Sequence, residues 1–260
     1  MKYFITTAVL LLIVAVFALQ VLSRNHSQCV FLPPNEAVKF ITDDTDGYHR
    51  RFHREDLYAR GVATIDEYSE RIRSSGCIGT FSTEEMQRIR AACRAADEFI
   101  GGYAEPWFDG NRCRRMTWYI VCVDGSEYEN GLPHTRGHII FFPRRYLYSK
   151  STASYTRTLI HEKVHVYQKT VPQDTRTYLT AHGFEVVGHR LSVRGSLVRA
   201  NSDTDDFVYR VFSTGETLFA KYNSHTPESI EDIFYANNST QRNEHPFERM
   251  AVDIASRFPI

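Results

Sequence analysis

Hydrophobic and polar positions divide the chain into stretches of different period. Residues 3 to 22 carry no charged side chain. Twenty such residues at the helical rise of about 1.5 Å cover roughly 30 Å, the thickness of a bilayer's hydrocarbon core. The stretch predicts a single N-terminal transmembrane helix and hence a membrane localisation. A cleaved signal peptide, and with it secretion, is the competing reading, because Lys2 supplies a charged leading region. From Ser23 to about Arg50 the chain is polar and contains Pro33-Pro34, which reads as a stalk with little regular structure. Helical periodicity then runs from about Glu55 to Arg73 and stops at Ser74-Ser75-Gly76. It resumes at Ser82, which has capping-box spacing to Glu85, and continues to Ile100 before Gly101-Gly102. The two helices are expected to pack as an N-terminal hairpin.

Beyond residue 101 the period shortens. Met116–Val123 (MTWYIVCV) and His138–Phe142 (HIIFF) are rich in β-branched and aromatic residues and are separated by Asp124-Gly125 and Asn130-Gly131, so they read as neighbouring strands. A helical pattern returns over Ser151–Lys169 and is closed by Pro172. Phe207–Phe212 and Thr217–Tyr222 flank a turn at Ser213–Glu216, and Pro246–Phe258 is a last amphipathic helix. This order of elements predicts an α+β fold with a small, mostly antiparallel sheet. The expected division is an anchor or signal segment at 1–23, a stalk at 24–50 and one domain over 51–260, helical over 51–101 and carrying the chemistry over 102–260.

Composition narrows the function classes. Lys+Arg and Asp+Glu number 31 each, so the formal charge is zero and the basic footprint of a dedicated nucleic-acid binder is missing. Nucleic acid is therefore not an expected partner. The five cysteines (Cys29, Cys77, Cys93, Cys113, Cys122) form no CxxC pair, which argues against a zinc ribbon or a thioredoxin-like motif. A Cys113–Cys122 bridge is expected only in an oxidising compartment. The glycosylation sequons at Asn25, Asn237 and Asn238 matter only on a lumenal side.

The chemistry concentrates in His161-Glu162-Lys163-Val164-His165. Residues four apart share one face of a helix, so His161 and His165 can offer two imidazole nitrogens to one metal ion. Glu162, one step round, is placed to take a proton from an attacking water. Ile160, Val164, Tyr167 and Val171 supply a core-facing stripe, which makes the setting helical on independent grounds. Lys163 counts against the reading, since residues at this place in zinc peptidases are commonly uncharged.

A hydrolytic zinc site needs a third protein ligand and an open position. Two glutamates compete for the role. Glu185 follows His165 at a spacing that resembles the thermolysin group. Glu248 lies far downstream in Glu244–Ala251 (EHPFERMA), where Pro246 suits a first helical turn and Phe247, Met250, Ile254 and Phe258 make a core face. Ala251 and Ala255 next to Glu248 would let this helix approach the HExxH helix closely. His182, His245 and Glu244 are further alternatives.

The segments Tyr128–Arg136 (YENGLPHTR), Leu159–Lys169 (LIHEKVHVYQK), Arg199-Ala200-Asn201 and Glu244–Ala251 resemble those of uncharacterised HExxH proteins encoded by large DNA viruses of algae and protists. The resemblance covers about Tyr103 to Ala255. It implies a zincin-like, glutamate-type metallopeptidase fold, with Glu248 on the late helix as the third zinc ligand, and it assigns no substrate. The segment GLPHTR is expected to border the cleft and pair with extended substrate backbone. His134 or Arg136 would then bind a substrate carbonyl or carboxylate, or stabilise the oxyanion. A hairpin turn with His134 capped locally is the plainer reading. Tyr209 and Tyr222 are further oxyanion candidates.

Together these features predict a membrane-tethered Zn2+ metallopeptidase acting on peptide or protein substrates, with His161, His165 and Glu248 on the metal and Glu162 as general base. The alternatives are a membrane-anchored structural or virion protein that keeps a structural zinc site, and a zinc hydrolase of non-peptide amides or esters.

Overall fold

The computed structural model describes residues 28–192, 197–236 and 244–260. No helix among them is long and apolar enough to cross a membrane. The two longest, Thr83–Gly101 and Thr152–Thr170, carry charged side chains in several turns. The expected transmembrane helix and membrane localisation are corrected accordingly: the fold is α+β without a membrane span among the described residues. Segment 3–22, on which those expectations rested, lies outside the described residues, as do the sequons at Asn25, Asn237 and Asn238.

The described chain begins with β1 (Cys29–Phe31) and α1 (Pro34–Thr42), passes α2 (Arg54–Tyr58) and α3 (Ile65–Ser75), and reaches β2 (Ile78–Gly79) and α4 (Thr83–Gly101). A short pair, β3 (Ala104–Glu105) and β4 (Phe108–Asp109), and α5 (Gly110–Arg114) lead to β5 (Trp118–Val123). Next come β6 (His134–Arg136), β7 (Ile139–Pro143), α6 (Tyr146–Ser149), α7 (Thr152–Thr170) and α8 (Pro172–Ala181). The antiparallel strands β8 (Phe184–His189), β9 (Phe207–Val211) and β10 (Thr217–Leu218) form a second sheet. A separate pair, β11 (Ala220–Tyr222) and β12 (Ile233–Tyr235), and the helix α9 (Pro246–Ala255) complete the described chain.

The central sheet runs β1-β5-β7-β6, with β2 also paired to β5. It is mixed, which corrects the expectation of a mostly antiparallel sheet. β1, β5 and β7 are parallel, with Tyr119 opposite Ile139, while β2 and the edge strand β6 run antiparallel. The physical reason is burial on both faces, which makes parallel strands continuous apolar runs. Ile120, Cys122, Ile140 and Phe142 point into one core shared with α4, α7 and α9, and Val121, Val123, Ile139 and Phe141 point into a second shared with α1 and α3.

This two-sided sheet also removes the expected N-terminal helical hairpin. Gly61, in the left-handed region at φ 65°, interrupts the first helical run, and Thr64 recaps it by accepting the Glu67 N–H at 3.1 Å. Tyr68 and Ile72 of α3 then enter one core and Ile89, Ala92 and Ala96 of α4 the other, so the helices cover opposite faces. The Ser82–Glu85 capping box forms as the spacing requires. Residues 28–50, expected as part of a stalk, are built into the domain: Val30 pairs with Tyr119, and Ala37 and Ile41 are fully buried. All five cysteines are free; Cys113 lies buried on α5, and no Cys113–Cys122 bridge forms.

Candidate metal centre

The site is assembled by α7 and α9. Ser151 caps α7 by accepting the Ser154 N–H at 3.2 Å. Ile160, Val164 and Tyr167 are fully buried, which turns the face with His161 and His165 towards α9. His245 caps α9 through the Phe247 N–H at 3.1 Å, and Pro246 occupies the first turn. Glu248 follows in that turn. The small, fully buried Ala251 permits close helix contact, and the Glu248 carboxylate arrives beneath α7 with no solvent exposure.

His161 Nε2 lies 3.2 Å from Glu248 Oε2 and 3.0 Å from His165 Nε2, which in turn is 3.7 Å from Glu248 Oε1. The three ligand atoms fall within 4.8 Å of one another and could hold a metal ion. Burial alone would raise the Glu248 carboxyl, but His165 and His161 outweigh it and hold it well below the usual carboxylate range.

Neighbouring side chains set the direction of these ligands. Gln168 Nε2 donates to the Phe247 carbonyl at 3.0 Å, which fixes the amide so that its Oε1 faces His165 Nδ1 at 2.8 Å. An amide oxygen only accepts, so Nδ1 carries the hydrogen, and the neutral ring that metal binding requires offers its lone pair from Nε2. Asn201 Nδ2 donates to Glu248 Oε1 at 3.0 Å and to Glu244 Oε1 at 3.2 Å, while Arg199 holds Glu244 from its other side at 2.7 Å. A lone pair, a second imidazole edge and a carboxylate converging at contact distance leave a place for one cation. Two nitrogens and one oxygen form one of the donor sets that catalytic metal sites use.

Glu162, buried beside His161, accepts the Thr135 hydroxyl at 2.9 Å. Burial first, and the Asp203 carboxylate second, push it up to about 8. Asp203 also accepts the Thr135 N–H at 2.6 Å, and Lys169 donates to the Thr135 carbonyl at 2.7 Å. His161 and Glu162 open on a cleft of about 670 Å³ that extends along α7 past Arg157 and Ser154 and along β6 past His134.

The other sequence candidates lie elsewhere. Glu185 sits on β8, paired with Arg210 at 3.0 Å, outside the ligand cluster. His182 Nδ1 donates to the Tyr178 carbonyl at the end of α8, and His245 faces Asp205 at 3.1 Å. Arg136 is enclosed by Asp44, Asp46, His49 and Tyr128, so the expected contact with substrate is corrected to a structural one. Tyr209 and Tyr222 spend their hydroxyls on Asp205 and Asp56.

No protein-family model, curated protein or solved structure matches the chain. The site therefore has to be read from its own chemistry. Gln168, Thr135, Asn201 and Asp203 are the residues that sequence reasoning missed. Thr135, Gln168 and Asn201 lie in the segments that carry the resemblance, and Gln168 had a further local signal, its spacing of three from His165 on one helix face.

Proposed function

We propose that the chain is a zinc metallopeptidase of the glutamate-zincin kind that hydrolyses peptide or protein substrates. His161, His165 and Glu248 would hold the ion. When bound, zinc supplies Lewis-acid polarisation of a scissile carbonyl and lowers the pKa of a coordinated water towards neutrality. Glu162 takes the proton of the attacking water and passes it to the leaving nitrogen, with the Thr135 hydroxyl holding its carboxylate in place. The observation that carries the reading is the arrival of Glu248, 83 residues beyond His165 in sequence, within 3.7 Å of both imidazoles.

The test is zinc content and cleavage of a mixed peptide library by the full-length chain. Wild type is expected to hold about one zinc and to cleave, and Glu162→Gln to hold zinc without cleaving. Glu162→Gln protein as active as wild type overturns the assignment. One observation favours a second reading, a hydrolase of small non-peptide amides or esters. The outward N–H and C=O of Thr135 on the edge strand are already taken by Asp203 and Lys169, so they are closed to strand addition. Cleavage of small acyl amides but of no library peptide would select it.

A further inference from the structure

His134, expected from the sequence to bind substrate, is spent on its own loop: Nδ1 faces the Leu132 carbonyl at 2.9 Å and Nε2 is buried. Recognition therefore falls to another wall of the cleft, and one stripe of that wall is cationic. Ser154, Arg157, Thr158 and His161 recur three and four residues apart, share one face of α7 and all line the cleft. Lys150, just ahead of the helix, continues the stripe. Arg157 Nη2 donates to the carbonyl of Phe258, which is flanked by Ser256 and Ile260, two residues that line the same cleft. Its Nε is buried without a partner among the described residues, whereas Nη1, which has none either, reaches open space. Lys150 is exposed, with Nζ 4.4 Å from the centre of the Tyr146 ring.

Neither cation has an acidic partner among the described residues. The cleft's own carboxylates, Glu129, Glu162, Asp203 and Glu231, stand outside ion-pair distance of both. Arg199, another guanidinium of the cleft, shows the contrast, since Glu244 neutralises it at 2.7 Å. A guanidinium carries five donors in a fork that matches a carboxylate, and one of those of Arg157 is committed to Phe258. Helix geometry gives the register. Arg157 precedes His161 by one turn, about 6 Å along the axis, and a long helical side chain leans further towards the N-terminus, so the guanidinium stands roughly 6–12 Å along the cleft from the metal ligands. Extended peptide spans about 3.3–3.6 Å per residue. We propose that Arg157, assisted by Lys150, is a specificity-determining residue that binds a substrate carboxylate about two to three residues from the scissile bond, supplied by a free C-terminus or by an aspartate or glutamate side chain. The inference names the substrate class of the proposed peptidase and rests on that reading.

Binding tests it without turnover. The zinc-loaded, full-length Glu162→Gln chain, which should bind without cleaving, is titrated calorimetrically with acetyl-Ala-Ala-Ala and its C-terminal amide, and with the amides of acetyl-Ala-Glu-Ala and acetyl-Ala-Gln-Ala. The carboxylate member of at least one pair should bind about 10- to 100-fold more tightly than its neutral partner, as for a hydrogen bond to a charged group. A preference in the first pair marks an enzyme that removes short C-terminal pieces, and one in the second an enzyme that cleaves beside acidic residues. Adding Arg157→Met should bring the ratio close to one, and Arg157→Lys, which keeps the charge without the fork, should leave it intermediate. Lys150→Gln, an exposed change, should lower it by about two- to fivefold. Ratios near one in both pairs, or a preference that Arg157→Met leaves intact, overturn the proposal. If the preference is found and the wild-type chain cleaves no peptide, the carboxylate subsite stands and the peptidase reading falls.

Discussion

Replacing Gln168 by leucine tests whether the metal ligands are held by their neighbours. Gln168 is 2 % exposed and makes two hydrogen bonds, from its Nε2 to the Phe247 carbonyl at 3.0 Å and from His165 Nδ1 to its Oε1 at 2.8 Å. Leucine fills similar volume but pairs with neither group. The Phe247 carbonyl keeps its partner within α9 but loses this second bond, which costs about 0.5–1.5 kcal/mol. His165 has an escape: moving its hydrogen to Nε2 relieves the stranded Nδ1, but it also removes the lone pair that faces Glu248. Stability without metal should therefore fall by only about 0.5–1.5 kcal/mol, while zinc affinity falls about 10- to 100-fold, as for loss of a ligand's supporting partner.

Gln168→Glu separates the two effects. It keeps an acceptor for Nδ1–H but faces the Phe247 carbonyl with a carboxylate oxygen. Stability should drop as in the leucine variant, whereas zinc affinity should stay within about threefold of wild type, because a carboxylate also fixes the histidine tautomer. Competition with a chromophoric chelator gives the affinities, and thermal unfolding with and without EDTA gives the stabilities. The reasoning fails if Gln168→Leu binds zinc as tightly as wild type, or if both variants lose affinity equally.

Other consequences follow from the same geometry. Glu248→Ala should abolish stoichiometric zinc binding, whereas Glu185→Ala should leave it intact; metal analysis of the two proteins decides between the competing glutamates. Glu129→Gln should cost about 3–5 kcal/mol in denaturant unfolding, because it strands Arg60, whose guanidinium bonds Glu129 at 2.5 and 2.8 Å with both side chains buried. Burial works against ionised Glu129, but Arg60 outweighs it and holds the carboxyl at about 2. Its folded value thus lies below an unfolded value of about 4.3. The stabilisation is present above that value and is lost as pH falls through about 2, so Glu129→Gln should show a shallower loss of stability in acid than wild type.

Part of this arrangement was legible because local patterns encode it. The spacing of His161 and His165 places both on one face of a helix, and Pro246 with Ala251 marks a helix that starts where it is needed and packs closely. The partners of Glu162 were not legible: Thr135 and Asp203 come from an edge strand and a loop, and their meeting depends on sheet order. The sheet itself left a signal that was misread. MTWYIVCV is apolar without alternation, the mark of a strand covered on both faces, and two-sided cover is what separates α3 from α4. Residues 34–42 passed for a stalk because only Ala37 and Ile41 of that helix are buried.

Lys163 shows why a charge inside the motif does not spoil it. Two helical steps turn it about 200° from His161, so it points away from the metal face. Behind the helix its side chain is fully buried. The ammonium donates to the Met116 carbonyl, sits 4.0 Å from the centre of the Trp118 ring and lies 4.0 Å from Asp97. Trp118 Nε1 donates to the same carboxylate at 3.1 Å, so the cation, the ring and the acid satisfy one another. Asp97 belongs to α4 and Trp118 to β5, and the cluster therefore ties α7 to both from the side opposite the site. A hydrophobic residue here would pack but would not fix the rotation of α7 about its own axis, whereas a paired charge has one productive direction. That rotation sets where His161 and His165 point, so the residue that makes HEKVH atypical as a motif helps aim its two histidines at Glu248.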